Sequence, residues 1–104
     1  MSFKDIKIPG EIIEVEGDKK TNEIFLLALS TCHWCMKGKA WLNENKYHYK
    51  FVDVDKIETE ERINFKREVS KLFNTMVRYP FIIINGKKFY AGYNPDEWKE
   101  MLIE

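Results

Sequence analysis

The stretch that most restricts the fold is Glu23–Ser30, "EIFLLALS". It is strand-length and apolar at every position from Ile24 to Leu29, so neither face of such a strand can meet water. A run of this kind fits the centre of a sheet covered by helices on both sides. It stops at Ser30-Thr31, residues suited to capping a helix. The following "CHWCMKGKAWLNENK" has helical spacing, with Met36 and Ala40 on one face and Cys35, Gly38 and Leu42 on an adjacent one. Gly38 is a poor helix former, but a small residue allows close packing on a strand. Tyr47–Val54, "YHYKFVDV", alternates Tyr47, Tyr49 and Phe51 and reads as a second strand. The three segments form a β-α-β unit, expected to be parallel and right-handed.

The rest of the chain fits around that unit. Met1 to Gly10 reads as an extended arm ending in a Pro9-Gly10 turn, and Glu11–Glu16 as an edge strand with Ile13 and Val15 alternating with charge. A helix is expected from Glu58 to Asn74, with Phe65, Val69, Leu72 and Met76 as its buried stripe and a solvated charged face. Phe81–Ile84 is a short buried strand, Asn85-Gly86 a two-residue hairpin signal, and Lys87–Ala91 a returning edge strand. Asn94 caps a last helix with Pro95 at its first position, Glu97 placed for a capping box, and Trp98, Met101 and Leu102 buried. Trp41 and Trp98 are read as packing residues.

At 104 residues the chain makes one domain. Seventeen basic side chains balance seventeen acidic ones, which implies no broad basic surface for nucleic acid. The N-terminus lacks the apolar segment of a signal peptide, and no run is long enough to span a membrane. The expected compartment is therefore the cytoplasm, where a permanent structural disulfide is uncommon. The expected oligomeric state is monomer.

Compartment bears directly on "STCHWCMKG", which holds both cysteines of the chain, Cys32 and Cys35. A loop this short is a poor staple, because stabilisation by loop closure shrinks with the number of residues enclosed. A closed zinc site needs four ligands, and His33 and His48 lack the spacing to complete one with the cysteines. An iron–sulfur cluster completed by outside thiols is a further alternative. Redox exchange suits the placement best. Cys32 falls where a strand gives way to a helix, and unpaired N–H groups with the positive helix end favour a thiolate there. Cys35, one turn on, can resolve the mixed disulfide that Cys32 forms. A Cys-x-x-Cys pair near a β-α-β pattern in a cytosolic protein is a thioredoxin-like signature. His33 can place positive charge near Cys32 or simply be solvated at a helix start. Trp34 is read as part of a docking rim, with Thr31 completing the active-site loop. Lys37 and Lys39 are read as solvated or as steering acidic partners.

Three landmarks make the chain resemble the glutaredoxin/thioredoxin superfamily from Glu23 to Glu104. They are the Cys32-x-x-Cys35 pair, Tyr79-Pro80 before the strand "FIII", and Ala91-Gly92 before the last helix. The resemblance implies a thioredoxin-like α/β fold. It implies a four-stranded mixed sheet flanked by three helices, with residues 1–22 as an extension that can add a fifth strand. It also implies a cis bond at Pro80, with Tyr79 free to pair with an extended substrate beside Gly92 and Tyr93. Glutathione-using glutaredoxins carry a lysine three residues before the first cysteine, where this chain has Leu29. The segment "AGYNPDE" resembles instead the Ser-Gly-Phe-x-Pro-Asp segment of NrdH-type redoxins, glutaredoxin-shaped proteins that behave like thioredoxins. That likeness implies electrons from a thioredoxin-reductase-like or other dedicated reductase, and a disulfide target such as ribonucleotide reductase; no bound cofactor and no metal are expected. Arg78 is the residue that can anchor glutathione if glutathione is used, a disfavoured reading.

Overall fold

The computed structural model describes residues 2–103. Its sheet has five strands: β1 (Ile13–Val15), β2 (Ile24–Ala28), β3 (Tyr49–Asp53), β4 (Phe81–Ile84) and β5 (Lys88–Ala91). They lie in the order β1-β3-β2-β4-β5, so the apolar run is the central strand. β2 and β3 are parallel and joined through helix α1 (His33–Glu44); the remaining pairings are antiparallel. Helix α2 (Thr59–Phe73) precedes β4, and α3 (Pro95–Leu102) ends the described chain. This is the thioredoxin-like arrangement with the fifth strand present.

Alternation along β2 explains why both its faces are apolar. Leu27 faces a core shared with Val52, Phe81 and Ile83 and covered by Phe65 and Val69 of α2. Ile24, Leu26 and Ala28 face a second core, covered by Cys35 and Leu42 of α1 and by Trp98 and Leu102 of α3. Each fully buried leucine, isoleucine or valine side chain contributes about 1.5–3 kcal/mol. One of the two cysteine sulfurs, that of Cys35, is thus embedded in a core. No helix among the described residues is long and apolar enough to cross a membrane.

Several local expectations are corrected. The N-terminal arm is not simply extended: Phe3–Asp5 forms a 3-10 turn with a Ser2/Asp5 capping box. That turn lays Phe3 5.2 Å from the Phe25 ring and 6.3 Å from Phe65, and buries Ile6 in the same core. On α1, Met36 is exposed, and the buried face is Cys35, Gly38 and Leu42. Gly38 packs against Trp98 and Pro80 rather than against a strand. α2 stops at Asn74, which caps it in the left-handed conformation (φ 51°, ψ 49°), so Met76 lies beyond the helix and is 70% exposed. Phe73 packs against the core in its place. In the hairpin, Asn85 (φ 55°) and Gly86 (φ 72°) both take the positive φ that a tight turn demands. Pairing resumes only at Lys88 opposite Ile84, so the connection has three residues. The Gly86 carbonyl also accepts the Phe3 N–H at 2.9 Å, tying the arm to the hairpin.

Candidate active site

The junction between β2 and α1 is built around one residue's main chain. The Leu29 carbonyl accepts the Cys32 N–H at 3.2 Å, and the Leu29 N–H donates to Cys35 Sγ at 3.4 Å. Neither Ser30 nor Thr31 caps the helix. The cap is Cys32 itself, in extended conformation (φ −86°, ψ 121°), with its Sγ accepting the Cys35 N–H at 3.3 Å. A sulfur takes the place usually filled by a hydroxyl or carboxylate oxygen, because the helix starts one residue later than the sequence pattern indicates. Ser30 is instead held by Asp55, and Thr31 is exposed.

The two sulfurs differ sharply. Cys32 is half-buried and Cys35 fully buried, and both are free thiols. The Cys35 thiol is pushed up from its ordinary 9.0 to about 12, first by burial and then by its hydrogen bond to the Cys32 sulfur and by charge there. The Leu29 N–H pulls the other way by more than the charge at Cys32 pushes, and the Lys39 ammonium opposes the rise least. At neutral pH Cys35 therefore holds its proton. Lys39 is not a freely solvated lysine: it pairs with the largely buried Asp53 at 3.2 Å and sits 3.9 Å over the Phe51 ring.

The landmarks distant in sequence come together at the same end of the sheet. The Tyr79–Pro80 bond is cis, and the Pro80 carbonyl accepts the Gly92 N–H at 2.8 Å. Gly92 takes φ 102°, with no atom close to where a Cβ would lie, so its need for glycine is conformational. Trp98 Nε1 donates to the Gly92 carbonyl at 3.1 Å. Tyr93 stacks on Trp34 (6.2 Å, 29°) and meets Trp98 edge-on at 5.4 Å. Trp34 is exposed yet not free, since Lys37 lies over its ring at 5.1 Å and His33 meets its edge at 5.6 Å. Tyr79 is half-buried; burial raises its hydroxyl pKa, and the cation of Arg62 opposes that rise. Arg78 is exposed and makes no ion pair or side-chain hydrogen bond among the described residues.

Two participants, Asp55 and Arg62, escaped the sequence reading. Asp55 and Ser30 grip each other across 25 positions, and Arg62 of α2, assigned to a solvated face, reaches the Tyr79 neighbourhood. No local pattern marks such contacts. His48 lies apart from the cysteines, its Nε2 2.6 Å from Glu14 and its Nδ1 3.4 Å from Glu16. Among the described residues these three form the one cluster with metal-ligand donors in reach of each other, and neither cysteine belongs to it.

Comparison with known proteins matches residues 19–89 to the family model described as Glutaredoxin. Among solved structures the chain is similar to the glutaredoxin from Methanosarcina mazei Go1, at 33% identity and a TM-score of 0.74, covering 92% of this chain and 89% of that one. It is also similar to Methanosarcina acetivorans methanoredoxin, at 34% identity and a TM-score of 0.65 over 77% of this chain and 83% of that one. The glutaredoxin (grx-1) from Archaeoglobus fulgidus follows at 26% identity and a TM-score of 0.68, covering 81% and 89%. No curated protein matches the chain.

Proposed function

The chain belongs to the glutaredoxin family, and from that premise we propose that it is a dithiol electron carrier that reduces protein disulfides and draws its electrons from a dedicated reductase rather than from glutathione. The observation that carries this reading is the unequal pair: a half-buried Cys32 sulfur at the helix cap beside a buried Cys35 thiol held protonated. Cys32, as thiolate, attacks one sulfur of the substrate disulfide. A Cys32–substrate S–S bond forms, the substrate bond breaks, and the released sulfur leaves as a thiolate that takes a proton from water. Charge on the Cys32 sulfur, and its acceptance of the Cys35 proton, are both lost in that mixed disulfide. Two of the influences that hold the Cys35 pKa up thereby vanish at the step that requires Cys35 to ionise. Cys35 then gives up its proton to water and its thiolate attacks the Cys32 sulfur; the second substrate sulfur departs as a thiolate that takes a proton from water, and two electrons have passed to the substrate. The Cys32–Cys35 disulfide that remains is returned to the dithiol by two electrons from the reductase.

Support for the electron source comes from Leu29, in the place where glutathione-using members carry lysine, and from "AGYNPDE", whose Tyr93 is occupied by Trp34. A target such as ribonucleotide reductase fits the NrdH-like segment. One observation favours a second reading, glutathione dependence: Arg78 is exposed and available to a carboxylate. The test is reduction of a model protein disulfide with NADPH and thioredoxin reductase, against NADPH, glutathione and glutathione reductase. Turnover with the first system alone is the expected result. Turnover with glutathione alone overturns the proposed electron source, and the Arg78→Ala variant then reports whether Arg78 is the anchor.

A further inference from the structure

Asp55 lies in the 3-10 turn Val54–Lys56 that follows β3, outside the cysteine loop. One of its carboxylate oxygens accepts the Ser30 N–H at 2.9 Å, and the other accepts the Ser30 hydroxyl at 2.5 Å. These two bonds, ahead of any other influence, hold its carboxyl below the ordinary carboxylate range. From α2, Arg62 Nη1 donates to the Asp55 main-chain carbonyl at 3.5 Å, a second and weaker tether.

The Ser30 N–H belongs to the same peptide unit as the Leu29 carbonyl. Because that unit is planar, fixing the direction of its N–H fixes the direction of its C=O. The Leu29 carbonyl is the acceptor of the Cys32 N–H. Constraint therefore runs from the Asp55 carboxylate, through one rigid peptide, to the backbone of the attacking cysteine, whose sulfur is in turn held by the Cys35 N–H.

We propose that Asp55 is a positioning residue for Cys32, setting through the Leu29–Ser30 peptide where the attacking sulfur stands relative to the Cys35 N–H and an approaching disulfide. The inference rests on the reading of Cys32 as nucleophile but not on the identity of the reductase. Displacement of a reacting atom by about an ångström can slow a reaction on the order of a hundredfold, and a loosened peptide is a milder perturbation.

The experiment measures the second-order rate of Cys32 alkylation by iodoacetamide, followed by mass spectrometry at a temperature where circular dichroism shows each variant folded. No reductase enters this assay, so failure of the proposed electron source leaves it intact. Asp55→Ala should slow alkylation about tenfold. Asp55→Asn should stay within about threefold of the unsubstituted protein, since its amide oxygen still accepts the Ser30 N–H and its NH₂ can donate to the hydroxyl. Ser30→Ala should fall between, because the N–H bond survives. If Asp55→Ala fails to fold, Asp55→Glu serves in its place: it keeps the charge, moves the carboxylate out by one methylene, and should also slow alkylation. An unchanged rate in Asp55→Ala or Asp55→Glu, with only a lower melting temperature, overturns the proposal and leaves Asp55 a stability residue. A rate for Asp55→Asn as low as that for Asp55→Ala overturns it too, because charge rather than position would then be at work.

Discussion

Gly38→Ala sets two familiar effects against each other, and the structure decides between them. In a helix interior alanine is better than glycine by about 0.8–1 kcal/mol. A Cβ on Gly38 would meet Trp98 Cη2 at 2.8 Å and Cζ3 at 3.3 Å, with Pro80 Cγ at 3.5 Å. Trp98 cannot swing aside cheaply. It is fully buried, donates to the Gly92 carbonyl, and is hemmed in by Trp41 at 5.9 Å and Tyr93 at 5.4 Å. Overpacking of a rigid core costs about 1–3 kcal/mol, and so many restraints place this case in the upper half of that range. The net expectation is destabilisation by about 1–2 kcal/mol, read as a lower guanidinium midpoint at unchanged slope. Trp98→Phe removes the ring atoms that clash, so Gly38→Ala should be neutral or stabilising in that background, a non-additivity of about 1 kcal/mol or more. If Gly38→Ala alone proves about 1 kcal/mol more stable than the unsubstituted protein, helix propensity has won and the packing argument is wrong.

Cys32→Ser should abolish disulfide reduction, whereas Cys35→Ser should accumulate a Cys32–substrate mixed disulfide detectable as a mass adduct; native-rate reduction by Cys32→Ser would refute the assigned roles. Because the Cys35 pKa is raised on folding, from 9.0 to about 12, its contribution to stability is whole below pH 9 and is lost as pH climbs from there towards 12. Denaturant unfolding of the reduced protein across that window should show a steeper loss than Cys35→Ala does, and parallel curves would contradict the assignment. Asp55 works in the opposite sense: its lowered pKa gives stability that is present above pH 3.8 and disappears as acid titrates the folded carboxylate. The difference in unfolding free energy between native and Asp55→Asn proteins should therefore shrink below pH 3.8. Phe3→Ala should cost about 3–5 kcal/mol, since that ring lies buried between Phe25 and Phe65; a loss below about 1 kcal/mol would mean the arm is peripheral to the core.

The parts of the molecule legible in the sequence are those whose cause is local. The apolar run of β2, the helical spacing of α1, the Asn85-Gly86 turn and the Asn94-Pro95 helix start each depend on neighbours within a few positions. What stayed hidden depends on pairs far apart: Ser30 with Asp55, Phe3 with Phe65, Gly38 with Trp98. The misplacement of Met76 is of another kind. Its signal was present in Asn74, a residue that tolerates the left-handed conformation and so can end a helix, but a continuing apolar period hid the stop. The cap was misread for a similar reason, since hydroxyls at Ser30 and Thr31 look like better capping groups than the thiol that performs the task.

Leu29 holds both cysteines through its main chain alone, one with its carbonyl and the other with its N–H. Any residue other than proline supplies those two groups, so the chemistry of the pair is insulated from whatever side chain occupies the position. The half-buried leucine side chain packs beside both cores, where the methylene stem of a lysine could lie as well, with its ammonium at the surface. The side chain at position 29 is consequently open to change at the rim of the site while the two main-chain bonds that hold the sulfurs stay as they are.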